Sequence, residues 1–158
     1  MKYDVVVYPD DRLKLVSSPV EKIDEELIDL INEMFRVMYE SDGCGLAGVQ
    51  IGVLQRLFVM EIKGKKYVMI NPEILERSKD YSLAEEGCLS LPGIGAEVKR
   101  SKKVTVKYTD IDGKEKILKA NGLLAICIQH EYDHLDGKVF IDHLPANEKL
   151  NVLKEYRK

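Results

Sequence analysis

The residues best suited to chemistry are His130-Glu131-Tyr132-Asp133-His134, an H-E-x-x-H run. Successive helical residues turn by about 100°, so His134 returns to within about 40° of His130, one turn along the axis. Two imidazoles so placed can share one metal ion. Glu131 falls about 60° from His134, on the flank of the pair. It is badly placed to ligate the same ion and well placed to take a proton from a water held there, the post of a general base. Three fixed letters recur by chance, so the run gains weight from its setting. The chain has only 3 histidines, and two stand here on a helix that reads as buried. The alternative, two hydrogen-bonded core histidines, is harder to satisfy on an apolar helix. His143, the third, reads as a surface or packing residue.

A catalytic metal site needs a third protein ligand and an open fourth position. The candidates are Cys44, Cys88, Cys127, His143 and the carboxylates. Cys127 shares the helical face, but it lies about 10 Å along the axis from His134, too far for a short side chain. The third ligand is therefore expected from an element that crosses the helix. Cys88 stands in Glu85-Glu86-Gly87-Cys88-Leu89-Ser90-Leu91-Pro92, a loop or strand end. Spacing does not choose between Cys88, Cys44 and a carboxylate. Taken alone, Cys44 and Cys127 read as small buried hydrophobes.

The elements that must position these groups can be read from periodicity. Residues 3–8 (YDVVVY) are β-branched and aromatic and read as a first strand stopped by Pro9. Residues 23–39 carry Ile23, Leu27, Leu30, Ile31, Met34, Phe35 and Met38 at helical spacing, with Asp24, Glu25 and Glu26 at the positive end of the dipole. Short β-type runs then alternate with turns: RLFVMEI, KG, KKYVMI ended by NP, AEVKR, KVTVKYTD, a hairpin at Asp112-Gly113, and KEKILK. Residues 123–136 read as a helix whose first half is apolar on nearly every side and which Gly137 caps, so it should be buried. A short last helix is expected at about residues 146–156. Strands followed by a buried helix argue α+β: short antiparallel sheets packed around the HExxH helix, with an N-terminal amphipathic helix and a short C-terminal one.

Composition sets the outer bounds. At 158 residues the chain reads as one catalytic domain, residues 1–158, with a real core. Lys+Arg is 24 and Asp+Glu is 27, a net charge of −3, which disfavours DNA or RNA backbone binding as the main task. The runs KGKK (63–66) and KRSKK (99–103) read as hairpin tips and solvated strand edges. No apolar run suits a membrane helix and none suits a signal peptide. The 3 cysteines are odd in number and sparse, a poor disulfide framework that points to the cytoplasm.

Three blocks carry a resemblance. Gly43-Cys44-Gly45-Leu46-Ala47-Gly48-Val49-Gln50, Glu86-Gly87-Cys88-Leu89-Ser90 and Gln129-His130-Glu131-Tyr132-Asp133-His134-Leu135-Asp136-Gly137 resemble bacterial-type peptide deformylases in order and spacing, over nearly the whole chain. The resemblance implies removal of the N-terminal formyl group from formyl-methionine of nascent proteins. It implies one divalent metal on Cys88, His130 and His134, iron(II) in the family with zinc, nickel or cobalt accepted, and Glu131 as general base and then acid. It implies that the Gln50 side-chain amide and the Leu89 backbone N–H meet the developing oxyanion. It also implies a methionine pocket from Cys44, Leu89, Ile126, Cys127 and the carbon faces of His130, with Glu86 near the first substrate residue and Asp133 supporting the helix. Gly43 and Gly45 would let backbone approach a peptide that adds as a strand. The chain reads GLAGVQ where the family usually reads GLAAPQ, which changes backbone freedom at Gly48 and Val49 but keeps Gln50.

The expected partners are N-formyl-methionyl nascent peptides, with no DNA and no membrane. Residues 145–158 carry Lys149, Lys154, Arg157 and Lys158 against Glu148 and Glu155, 4 − 2 = +2, which suits weak ribosome docking. The competing readings are another HExxH metallopeptidase, a metal-stabilised binding protein with four protein ligands, and a catalytically dead relative, which the presence of Gln50 and Glu131 opposes.

Overall fold

A computed structural model describes residues 3–156. Helix α1, Glu25–Glu40, begins where the Asp24 side chain accepts a hydrogen bond from the Leu27 N–H at 3.0 Å, an N-cap that satisfies one orphan donor. Its stripe of Leu27, Ile31, Met34 and Met38 is buried. Five strands form one antiparallel sheet in the order β1-β2-β3-β6-β7: Gly45–Ala47, Leu57–Ile62, Lys65–Arg77, Lys103–Thr109 and Glu115–Asn121. Strands β4 (Tyr81–Cys88) and β5 (Leu91–Ser101) form a separate hairpin.

Strand β2 shows how the layers are cemented. Its side chains alternate in direction. Leu57 and Val59 pack with the buried face of α1, while Phe58 and Met60 pack with Ala125 and Ile128 of helix α2, Gly122–Leu135. The sheet thus lies between α1 and α2. The other side of α2 is held by β5, where Gln129 donates to Ser101 O at 2.9 Å and accepts from Ser101 N at 3.1 Å. Gly137 follows the helix end with φ 75°, and a Cβ there would stand 2.4 Å from Lys14 O, so only glycine fits. Helix α3, Ala146–Tyr156, packs Val152 and Leu153 against the β4–β5 side of the molecule.

The α+β architecture read from the sequence is the one observed, with two local corrections. Residues 3–8 form no strand. Val6 N donates to Gln50 O and Tyr8 N to Ser90 O, each at 2.7 Å. The hydrogen bonds go to two different segments, so no ladder forms, and the chain instead ties those segments together. Asn71-Pro72 does not end β3. Asn71 takes φ 50° and its side-chain amide grips the backbone of Val20 at 2.7 and 2.9 Å. The register to β6 shifts between Ile70 and Glu73, a bulge that absorbs the missing proline N–H.

Candidate active site

Helix α2 places His130 and His134 with ring centroids 5.1 Å apart. Cys88 ends β4, and the pairing with β5 jumps from Gly87↔Gly95 to Cys88↔Leu91. Such an irregularity re-aims a side chain. One ligand atom from each of Cys88, His130 and His134 lies within 4.8 Å of the others, and Cys88 Sγ is 3.5 Å from His134 Nε2. Among the described residues no fourth Cys, His, Asp or Glu joins this cluster, which could hold a metal ion through three ligand atoms. Cys127, the tempting neighbour on the same helix, turns instead to Cys44, with the sulfurs 3.6 Å apart. Cys44 itself is exposed, not the buried hydrophobe its residue type suggests, because it lies on the rim of a cavity.

His130 is oriented by a buried charge network. His130 Nδ1 donates to Glu86 Oε1 at 2.9 Å, which fixes the tautomer and leaves Nε2 to ligate. Arg100 grips both Glu86 oxygens at 2.8 and 2.9 Å and reaches Asp133 Oδ2 at 2.6 Å. His143 Nε2 donates to the same Asp133 oxygen at 2.7 Å. Arg100 is only 3% exposed and Glu86 and Asp133 are 6%. Burial alone would raise both carboxyls, but Arg100 for Glu86 and His143 with Arg100 for Asp133 hold each down to about 2. Both Glu86 carboxylate oxygens are engaged by Arg100 and one of them by His130, and the residue also borders the cavity. His143 lies at the surface, as the sequence suggests, and from there it pairs with Asp133. Arg100, in the KRSKK run taken as solvated, is the buried hub.

The donor set suits a cation. Burial would raise the Cys88 thiol, yet the facing His134 and His130 bring it down to about 5. Burial would lower His130, but the Cys88 and Glu86 hydrogen bonds and the Glu131 charge raise it well above its ordinary value. Two buried atoms, Glu131 Oε1 and His134 Nδ1, have no protein hydrogen-bond partner. Glu131 Oε1 stands 4.0 Å from His134 Nε2, a distance suited to a shared water rather than to a direct bond. A thiolate, two imidazoles and an unsatisfied carboxylate oxygen together fit a hydrolytic divalent metal.

Gln50 is 1% exposed. Its Oε1 accepts from Ala47 N at 2.9 Å, so its amide nitrogen must point the other way, to Ser90 Oγ at 3.2 Å and Cys88 Sγ at 3.6 Å. Ser90 closes the Glu86–Ser90 block that carries the resemblance, but the sequence assigns it no role. Gly45 lies so close to the carboxylate that an added Cβ would stand 2.7 Å from Glu131 Oε2, and one on Gly43 would stand 2.8 Å from Leu89 Cδ1. A cavity of about 270 Å³ brings together Gly43, Cys44, Gly45, Gln50, Glu86, Cys88, Leu89, Ile126, Cys127, His130 and Glu131. A wider open groove of about 1090 Å³ along α1 is lined by no cysteine or histidine.

The family model described as polypeptide deformylase matches residues 2–150. A peptide deformylase of Wolbachia pipientis wMel is 47% identical, over 98% of this chain and 93% of its own length. The crystal structure of a peptide deformylase from Ehrlichia chaffeensis superposes with a TM-score of 0.94 at 37% identity, covering 99% of this chain and 96% of that one. A peptide deformylase from Synechococcus elongatus, solved in complex with actinonin, gives a TM-score of 0.94 at 39% identity, over 98% of this chain and 86% of its own.

Proposed function

From the polypeptide deformylase family, to which the chain belongs, we propose how its residues divide the work of removing the N-terminal formyl group. The family activity is metal-dependent hydrolysis, and this chain is an enzyme of that kind. Cys88, His130 and His134 hold the ion, Glu131 moves the proton, and residues 1–158 work as one catalytic domain. The carrying observation is the cluster of those three ligands within 4.8 Å, with an unpartnered Glu131 oxygen beside it.

When bound, the cation supplies Lewis acidity that acidifies water and polarises the formyl oxygen. The chain's own groups do the rest. Glu131 takes the proton of the attacking water and later delivers it to the departing amine, so that water and the formyl amide become formate and a free N-terminus. Gln50 Nε2 and the Leu89 N–H face the formyl oxygen as charge grows on it. The segment of Gly43, Cys44 and Gly45 lies beside the extended peptide, and Cys44, Leu89, Ile126 and Cys127 receive the methionine side chain. Iron(II) is the proposed resident ion. Thiolate and imidazole ligands also suit zinc, nickel and cobalt.

The donor geometry of Gln50 yields a sharp expectation. Gln50→Ala should lower kcat by about 10²–10³-fold with metal content unchanged, because the amide nitrogen is pre-aimed by the Ala47 bond. A drop confined to KM would show that Gln50 serves binding rather than the oxyanion.

The whole reading is tested by formate release. A formyl carbon carries hydrogen where an acetyl carbon carries a methyl group and an internal peptide carbonyl carries a chain. Anaerobically purified, metal-assayed protein should deformylate formyl-Met peptides and leave acetyl-Met peptides nearly untouched. Comparable turnover of both would point to a general metallopeptidase.

The enzyme is proposed to act in the cytoplasm on nascent chains. No helix among the described residues is long and apolar enough to cross a membrane. Weak ribosome contact through α3 is supported by charge alone. Lys149 is paired with Asp142 at 2.9 Å, and Arg157 and Lys158 lie outside the described residues. Unchanged ribosome pelleting after charge reversal at Lys154, Arg157 and Lys158 would dismiss it.

A further inference from the structure

Cys44 and Cys127 do not take part in the hydrolysis, yet their sulfurs lie 3.6 Å apart from positions 83 residues apart in the chain. One belongs to the segment entering β1 and the other to α2. Cys44 is exposed and Cys127 is buried, and both line the cavity above the metal ligands. An accessible thiol backed by a second, sheltered thiol is the arrangement of an attacking and a resolving cysteine. The third cysteine, Cys88, is engaged by the two histidines and has no part in the pair.

We propose that Cys44 and Cys127 form a reversible disulfide that closes the substrate cavity, made by a low-molecular-weight disulfide of the glutathione type and undone by thiols. The proposal rests on reading this cavity as the formyl-peptide site. The exposed Cys44 thiolate attacks one sulfur of glutathione disulfide and expels one glutathione thiolate, leaving a mixed disulfide. Cys127 then loses its proton and attacks the Cys44 sulfur, expelling the second glutathione. Two protein thiols become one S–S bond, and the two electrons leave on two glutathione thiols.

Closure follows from distance. A disulfide is about 2.0 Å long, so the two sulfurs must approach by about 1.6 Å from their present separation of 3.6 Å. The bond ties the 43–45 segment to α2 across the cavity that both thiols line. Gly45 in that segment has no room to spare, since even a Cβ would stand 2.7 Å from Glu131 Oε2. The bond therefore narrows the methionine pocket and presses on the carboxylate that moves the proton. Misplacement of about an ångström at a reacting centre costs on the order of 10²-fold.

The experiment treats metal-loaded full-length enzyme with glutathione disulfide under argon, then with dithiothreitol, and follows three quantities: metal content, formate release and the Cys44–Cys127 linked peptide by non-reducing mass spectrometry. The linked peptide should appear with metal retained, kcat/KM should fall by about 10²-fold, and dithiothreitol should restore it. Cys44→Ser and Cys127→Ala, each compared with its own reduced state, should show no oxidant-dependent loss. Failure to detect the linkage under full oxidation overturns the proposal. So does a linkage that leaves the rate unchanged, or an equal oxidant-dependent loss in both variants. If reduced enzyme released no formate at all, the functional reading would fall, while the linkage would still be scored by mass.

Discussion

Alanine at position 131 is expected to lower the rate of formate release by about 10²–10⁴-fold, the usual weight of a positioned acid–base group, with the metal retained at the wild-type level. The three proposed ligands are Cys88, His130 and His134, so removing Glu131 takes away none of those donors. What it removes is a carboxylate that is 3% exposed, with one oxygen unpartnered and 4.0 Å from His134 Nε2. Burial pushes this carboxyl up to about 7, against the lowering pull of His130 and His134. A group poised there can both accept and return a proton near neutrality. Glu131→Gln keeps the shape and should lose as much, which assigns the loss to the proton rather than to packing. Gly45→Ala is a milder probe of the same group, because its methyl would stand 2.7 Å from Glu131 Oε2 and force the carboxylate aside. Metal-replete Glu131→Ala that kept its rate would leave the reaction without its proposed base.

The two imidazoles were legible because helical rotation is local arithmetic. Positions 130 and 134 share a face whatever the rest of the chain does, and the apolar run before them marks the helix as buried. Cys88 was not legible from spacing. Its place depends on an irregularity in the β4–β5 hairpin, and hairpin irregularities follow from tertiary fit more than from residue type. Only the resemblance of the EGCLS block pointed to it. The same limit explains residues 3–8. Their β-branched composition is real, but their hydrogen bonds go to Gln50 and Ser90, partners that composition cannot name.

Arg100 is the instructive miss. Within KRSKK it looks like one more solvated cation. A period of two along β5 puts it on the same side as Val98, and Val98 is 1% exposed, so the inward phase was present in the sequence. The surrounding lysines masked it. The grip of Arg100 on Glu86 was hidden for the linked reason: without the inward phase of β5 in view, no cation stands near that carboxylate. Cys44 was misjudged because exposure on a cavity rim has no periodic signature.

Removing that hub should be the costliest change to stability. Arg100→Met is expected to destabilise the protein by about 3–5 kcal/mol at neutral pH, the range for leaving buried charges without their partner. It strands two carboxylates at once, Glu86 and Asp133, each 6% exposed. Because Glu86 orients His130 at 2.9 Å, metal affinity should also fall by about 10–100-fold. Arg100→Lys keeps the charge but not the fork, so it should recover only part of both losses. The pH dependence identifies the cause. Glu86 and Asp133 are held at about 2 in the folded chain, against about 4.3 and 3.9 when unfolded. Depressed folded values mean that their contribution is complete above about pH 4.3 and fades as pH falls toward 2, where the unfolded chain binds more protons than the folded one. In the variant the buried carboxyls lose the charge that holds them down, so acid removes less from it. The urea midpoints of the two proteins, far apart at neutral pH, should converge as pH falls through 4 to 3. A gap of constant size would mean that Arg100 acts through the packing of its stem. No gap at neutral pH would mean that His143 and the helix hold the two carboxylates without it.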